Sequence, residues 1–338
     1  MSRTKATTVR PSKPATAQLS TALHATAIGE ARTEFDELDT NWGIVPTTHR
    51  DRFEQDWAAI AEAATKLELK NAGQLVTEQP ALLSSLTGES KLATFKAAAL
   101  EDLHRLRNTI VMVTAGAAAM SNLPVEAIYH QSVTCPHKRT PNTERPAFDD
   151  EIALLRTAAA ITITNDPTDQ AALMYALCDA GMLVAETTYV TLDHFDDLDA
   201  PTMAEAQGNR ARYSASTCKR LLPLERFTSQ VIARATTHLG TDPATKVVYR
   251  PRLHQDGSPS AAASACGVIR RFITPIVNST DLTGSSIPRW RIAHTLDTQG
   301  EQWAKEIAGC PTVERVRQIA DRKLPTTTSM TPITVTRF

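Results

Sequence analysis

Hydroxyl side chains crowd the C-terminal stretch "DRKLPTTTSMTPITVTRF", where six Thr and one Ser stand with Asp321 as the sole acid and with no Tyr, His or Cys. A Ser or Thr hydroxyl attacks an electrophile only when an adjacent base removes its proton. The stretch holds no such base, so any chemistry there depends on residues far upstream. The nine His show no HxxxH or HExxH spacing, so no helix-borne metal pair is expected. The five Cys (Cys135, Cys178, Cys218, Cys266 and Cys310) are odd in number, stand at least 40 residues apart and form no CxxC pair. They read as reduced thiols, neither a disulfide framework nor a zinc site. All five Tyr, the last of them Tyr249, precede residue 250. These patterns imply neither a cofactor nor a metal, and no small-molecule substrate.

The elements that would position such residues come from a chain of 338 residues with 42% apolar content, enough for a large core and two domains of ordinary size. No apolar run approaches the roughly 18 to 20 uncharged residues of a membrane-spanning helix. The N-terminus lacks the apolar stretch of a secretory signal, although an Arg- and Ser-bearing, acid-free leader also fits an organellar transit peptide. Cytoplasmic localisation, in association with the nucleoid, is the expectation. The net charge of −1 hides an uneven distribution. Residues 1–29 carry +4 and no acid, residues 30–204 carry −14, and residues 205–338 carry +9. Such asymmetry suggests a polyanion partner for the arm and the C-terminal part, with ordinary solvated charge as the alternative.

Residues 1–45, rich in Thr, Ala, Ser and Pro, read as a flexible basic arm and lead-in. From "PTTHRDRFEQDWAAIAEAATKLEL" the apolar residues Phe53, Trp57, Ile60 and Ala64 recur at helical spacing, and further helices fit "QPALLSSL" and "SKLATFKAAALEDLHRLRNTIVMVTAGAAAM". This predicts an all-helical domain over 46–132. "VTCPHKRTPNTERPA" (133–147), with three prolines, three Lys or Arg and His137, reads as a basic linker. In 148–338 the expected order is two apolar helices, the second ended by Gly181, then a short helix with Glu186. A strand "YVTLDHF" follows, running on through "PTMAEAQ" to pair with "CKRLLPL", and mainly helical chain comes beyond Glu225. The fold class is therefore mainly α with a small antiparallel sheet.

This order resembles the tyrosine recombinase (phage integrase) family. "TTHRDRFEQDWAAIAEAATKL" and "LATFKAAALEDLHRL" are similar to helices of that family's core-binding domain. Gly181-Met182-Leu183-Val184-Ala185-Glu186 resembles its Gly-Leu-Arg-x-x-Glu segment, and "EAQGNRARYSASTCKRLLPL" its β-hairpin. "WRIAHT" stands where His-x-x-Arg-His-Thr is expected, and "VRQIADRKLPTTTSM" mirrors the ending that leads into Thr-Thr-x-x-Tyr. The likeness spans about residues 45–335 and implies a helical core-binding domain followed by a recombinase-like catalytic fold. It also implies double-stranded DNA as partner, with a homo-oligomer, such as a dimer, on DNA.

The departures carry more weight. In that family two arginines and a His hold the scissile phosphate, a Lys and a second His or Trp assist proton transfer, and a Tyr attacks phosphorus. The matching positions here carry Leu183 for the first Arg, Gln207 for the Lys, Trp290 for the His, Ala293 for the second Arg, Arg322 for the second His and Met330 for the Tyr. Losing one charged donor of this kind typically costs about 10²- to 10³-fold in rate, and a Met thioether forms no phosphoester. The chain is thus expected to be a non-enzyme, a sequence-specific DNA-binding protein acting as a transcriptional repressor or regulator, or as an accessory factor of a phage, plasmid or other mobile element. The alternatives are an active recombinase with relocated or partner-supplied groups, and a protein–protein scaffold. DNA-contacting residues are expected among Lys91, Lys96, Arg105 and Arg107 on the third helix, Lys138 and Arg139 in the linker, Arg210, Arg212, Lys219 and Arg220 on the hairpin, Arg250 and Arg252 in "YRPR", and Arg270, Arg271, Arg289 and Arg291 beyond it.

Overall fold

The computed structural model describes residues 23–88, 97–120, 125–134, 145–207, 219–248, 258–277 and 281–321. Within the stretch read as arm and lead-in, Ile28–Trp42 forms a helix, α1. Its buried residues Ala31, Phe35, Leu38 and Trp42 recur at four, three and four residues, a helical stripe that frequent charges partly mask in the sequence. Gly43 closes α1 in the left-handed conformation, with φ 71°, and its amide donates to the Asp39 carbonyl, a geometry that favours glycine. A 3₁₀ turn, Thr47–His49, leads into α2 (Arg50–Lys66), and α3 (Ala72–Thr77) and α4 (Gln79–Thr87) follow.

The centre of the molecule is α5 (Ala97–Met120). Ile110, Val111, Met112, Val113, Ala115, Ala117 and Ala118 are all wholly buried, so this helix is apolar around its full circumference over its second half, the mark of a helix enclosed by others. α1 packs on one side of it and α7 (Asp149–Asn165) on another. The small residues of "TAGAAAM" permit the close approach. A Cβ at Gly116 would stand only 3.1 Å from the Phe35 ring and 3.3 Å from its Cα, so any larger residue there would push α1 and α5 apart by a few tenths of an ångström.

After α6 (Glu126–Gln131) and α7 come α8 (Gln170–Asp179) and two 3₁₀ turns, Glu186–Thr188 and Leu192–His194. The expected strand "YVTLDHF" is therefore turn and 3₁₀ structure, with isolated antiparallel bridges from Thr191 to Lys246 and from Phe195 to Ala204. The Thr191 amide donates to His194 Nδ1, and backbone from Pro243 and Thr245 accepts from Asp193 and Leu192. The sheet consists of β1 (Met203–Ala206) and β2 (Arg220–Pro223), paired antiparallel with Met203 opposite Pro223 and Ala206 opposite Arg220. Helices α9 (Arg226–Leu239), α10 (Pro259–Val277), α11 (Ser286–Thr298), α12 (Glu301–Ala308) and α13 (Val313–Ile319) complete the described chain. The protein is mainly helical with one small antiparallel sheet.

One continuous apolar core runs from Leu23 to Ala320, and polar ties cross it. Asn108 donates to Asp150 at 2.8 Å and Thr48 to Asp149 at 3.0 Å. Arg145, buried, reaches both Glu151 at 2.8 Å and Asp281 at 3.1 Å. The residues of 46–132 thus meet those beyond 145 through a packed, hydrogen-bonded contact.

Candidate nucleic-acid interface

Four of the six positions singled out by the resemblance lie among the described residues, and each makes local contacts or is buried. Leu183, half-buried in the turn after α8, donates its amide to Glu186 Oε2 at 2.7 Å. Glu186 pairs in turn with the buried Arg220 of β2, whose guanidinium also donates to the carbonyls of Gly181 and Ile307. Gln207 follows β1 and donates to Glu205. Trp290 is buried on α11, its indole N–H donating to Asp149 Oδ1 at 2.6 Å and its ring stacked 4.9 Å from that of His294. Ala293 is 3% exposed on the same helix. Arg322 and Met330 lie outside the described residues.

Around Trp290 the charges are matched and enclosed. Arg156 of α7 grips Asp179 with two nitrogens, at 3.1 and 2.8 Å, reaches Glu225 at 2.7 Å and lies 5.2 Å over the Trp290 ring. Arg291 pairs with the same Glu225 and donates to the Pro223 carbonyl at 3.2 Å. Burial, seconded by Arg156 and opposed by Asp179, lowers the Arg291 pKa to about 10, so it still carries its charge at neutral pH. Burial, with Arg291 adding to it, also holds His294 below the ordinary imidazole value. Each guanidinium therefore already has a carboxylate, and an incoming phosphate would have to displace it.

The cations named from sequence divide sharply. Arg107 is wholly buried and Arg220 and Arg291 nearly so, so these three expected DNA-contacting residues are withdrawn from the surface. Each donates inside the fold to partners distant in sequence. Arg105 is also withdrawn, holding Asp56 at 2.6 Å and Asp102 at 2.7 Å with 12% of its side chain exposed. These pairs line a cleft of about 270 Å³ between α2 and α5 whose arginines and acids are matched. Lys219 is exposed but pairs with Glu205 at 2.9 Å, and Arg289 is half-buried on α11. Lys91, Lys96, Lys138, Arg139, Arg210, Arg212, Arg250 and Arg252 fall outside the described residues.

Arg270 and Arg271 differ from these. Both are exposed on α10 and form no ion pair among the described residues. α10 buries Ala261, Ala265, Ile269, Ile273 and Ile276 on one side. The opposite face presents Ser260, Ala263, Ser264, Arg270, Arg271 and Thr274, all exposed. The helix contains no acid over its 19 residues. A face of short side chains lets a helix backbone approach a partner closely, and the two arginines extend from it. Two cations not singled out from sequence, Arg226 and Arg234, stand exposed on α9, which likewise contains no acid; that absence was the available signal.

Among the described residues no group of three His, Cys, Asp or Glu side chains is placed to hold a metal ion, and no helix is long and apolar enough to cross a membrane. No protein-family model matches the chain, and no curated protein matches it. Similar solved structures are the XerA recombinase, with 14% identity over 88% of this chain and 94% of that one at a TM-score of 0.41, and a lambda integrase dimer bound to a COC′ core site, with 12% identity over 94% and 84% at 0.38. The Tn1549 transposon integrase in complex with transposon right end DNA is similar at 12% identity over 80% of this chain and 95% of that one, with a TM-score of 0.36.

Proposed function

We propose that this protein is a non-catalytic, sequence-specific DNA-binding protein, a repressor, regulator or accessory factor of a mobile element, that reads duplex DNA with the outer face of α10. The observation that carries the reading is the pair Arg270 and Arg271, exposed on an acid-free helix whose neighbouring outward residues are Ser, Ala, Gly and Thr. A helix of this length spans about 28 Å at 1.5 Å per residue and fits the major groove, where an Arg fork pairs with guanine O6 and N7. The net +9 of residues 205–338 supplies the accompanying attraction for phosphate.

Absence of catalysis is supported by Trp290 and Ala293, which place an indole bonded to Asp149 and a buried methyl where the resemblance calls for a His and an Arg. The neighbouring Arg291 is turned to Glu225. The test maps bound DNA across the native host's genome and repeats the map with Arg270→Ala/Arg271→Ala. Discrete sites in the wild type that vanish in the variant support the reading, whereas a diffuse map, or sites unchanged by the substitutions, opposes it. Covalent attachment to a nicked substrate would instead favour an active recombinase.

A further inference from the structure

We propose that the exposed face of α9, centred on Arg226, Gln230 and Arg234, is a second DNA-contacting surface, one that grips phosphates without reading bases. The inference rests on the DNA-binding reading above and adds to it a surface that neither the sequence pattern nor α10 accounts for. Arg226, Gln230 and Arg234 follow one another at four-residue intervals and are all exposed, so they form one stripe along the helix. At 1.5 Å per residue the two arginines stand about 12 Å apart along the axis.

Both arginines are held against the end of α1. The Arg234 guanidinium lies over the Trp42 ring at 5.3 Å. A cation placed over an aromatic face is held there by the ring quadrupole without spending an N–H donor on a hydrogen-bond acceptor, which suits a phosphate contact. The Arg226 stem packs on Gly43, with its Cβ, Cγ and Cδ 3.3 to 3.5 Å from where a Gly43 Cβ would stand. A side chain at residue 43 would therefore press against it by a few tenths of an ångström. The two cations are thereby pre-positioned, which lowers the ordering cost of binding.

The adjoining acids are already engaged. Asp39 is buried and bonded to Arg50 and to the Val45 amide, and Glu225 is held by Arg156 and Arg291. Arg226 also occupies the first position of α9, where the helix dipole disfavours a cation, and no acid in the first turn offsets it. That local disadvantage fits a residue retained for a contact outside the fold. The acidic loop Asp196–Asp199 bounds the surface at the other end, where Thr236 bonds the Leu198 carbonyl. α9 and α10 both pack on α8, with Tyr175 touching Phe227 of the one and Phe272 of the other, so the two basic faces are carried on one rigid support.

The experiment titrates duplexes of several sequences with wild type, Arg226→Gln/Arg234→Gln and Arg270→Gln/Arg271→Gln across a salt series. The α9 pair should lose affinity equally on every sequence, and its log–log salt slope should fall in magnitude by about 1.8, or 0.9 per phosphate contact. The α10 pair should lose the preference among sequences. Arg226→Lys/Arg234→Lys, which keeps the charges, should retain most of the slope, and unchanged melting temperatures exclude a folding defect. If wild type binds and the α9 pair keeps its slope, this surface is disproved while the DNA reading stands. If wild type shows no salt-dependent binding to any duplex, both fall.

Discussion

A single guanidinium nitrogen of Arg107 donates to the carbonyl oxygens of both Ile276 and Val277, at 3.1 and 3.3 Å, and so ties α5 to the last turn of α10. Carbonyls at the end of a helix have no intrahelical donor, so a reaching arginine satisfies them. Arg107→Met should cost about 2 to 4 kcal/mol by leaving these groups unsatisfied, read as a lower urea midpoint with an unchanged slope. Duplex affinity of the folded variant should stay near that of wild type, and a selective loss of affinity would return Arg107 to the interface.

Arg145 stands between two buried acids, Glu151 and Asp281. Removing it alone strands both charges, and Arg145→Ala should therefore lose about 3 to 5 kcal/mol. Replacing all three residues together, as Arg145→Met/Glu151→Gln/Asp281→Asn, should recover at least half of that loss. Equal losses in the two variants would show that packing, not charge, dominates at this site.

Stability should fall as pH drops from 7 to 5. Burial, with Arg291 adding to it, keeps His294 below its ordinary pKa. Burial does the same at His49 against the pull of Asp150 and Asp149. The unfolded chain then binds more protons than the folded one below the ordinary value of about 6.5, so each residue contributes stability above that pH that is lost beneath it, at up to about 1.4 kcal/mol per unit. Denaturant curves of His49→Gln/His294→Gln should show a flatter pH dependence than wild type across this window. An identical slope would reassign the effect to other groups.

Neither wild type nor Met330→Tyr should form a protein–DNA adduct on nicked, site-bearing DNA run under denaturing conditions. A phenol with a pKa near 10 needs a base and stabilisation of the developing charge. At the positions where the resemblance would place these groups stand Ala293, Gln207, which is bonded to Glu205, and Trp290, which is bonded to Asp149. An adduct from wild type would overturn the non-enzyme reading, and one from the variant alone would show a competent phosphate clamp.

The long apolar run of α5 and the helical spacing of α2 were legible from the sequence because they follow from local periodicity. Arg105 and Arg107 were not, since an arginine on a helix has the same local pattern whether it faces a partner molecule or a partner inside the fold. Here the partners lie at Asp56 and at Ile276, 49 and 169 residues away. The "YVTLDHF" segment failed as a strand for a related reason. Its alternation is strand-like, but His194 and Asp193 bond back onto Thr191 and curl the chain locally. Glu186, in the segment where the resemblance expects an arginine and Leu183 stands, pairs instead with Arg220, brought from 34 residues on. Arg270 and Arg271, named as cations of the basic C-terminal part, stand exposed on α10, whereas Arg226 and Arg234, on an equally acid-free helix, were passed over.

The burial of α5 on every side also governs how the chain acquires its structure during synthesis. α1 to α4 emerge first and can cover one flank of α5, but the other flank awaits α7, whose residues 149–165 follow about 30 residues after α5 ends. Until then a nascent chain displays to solvent the flank of α5 that carries Asn108, the partner of Asp150 on α7, the kind of transiently uncovered surface that chaperones recognise. A fragment ending near residue 132 would be permanently in that condition. It should be recovered as aggregate, so the helical N-terminal part is a folding partner of the rest, not a module that can be excised.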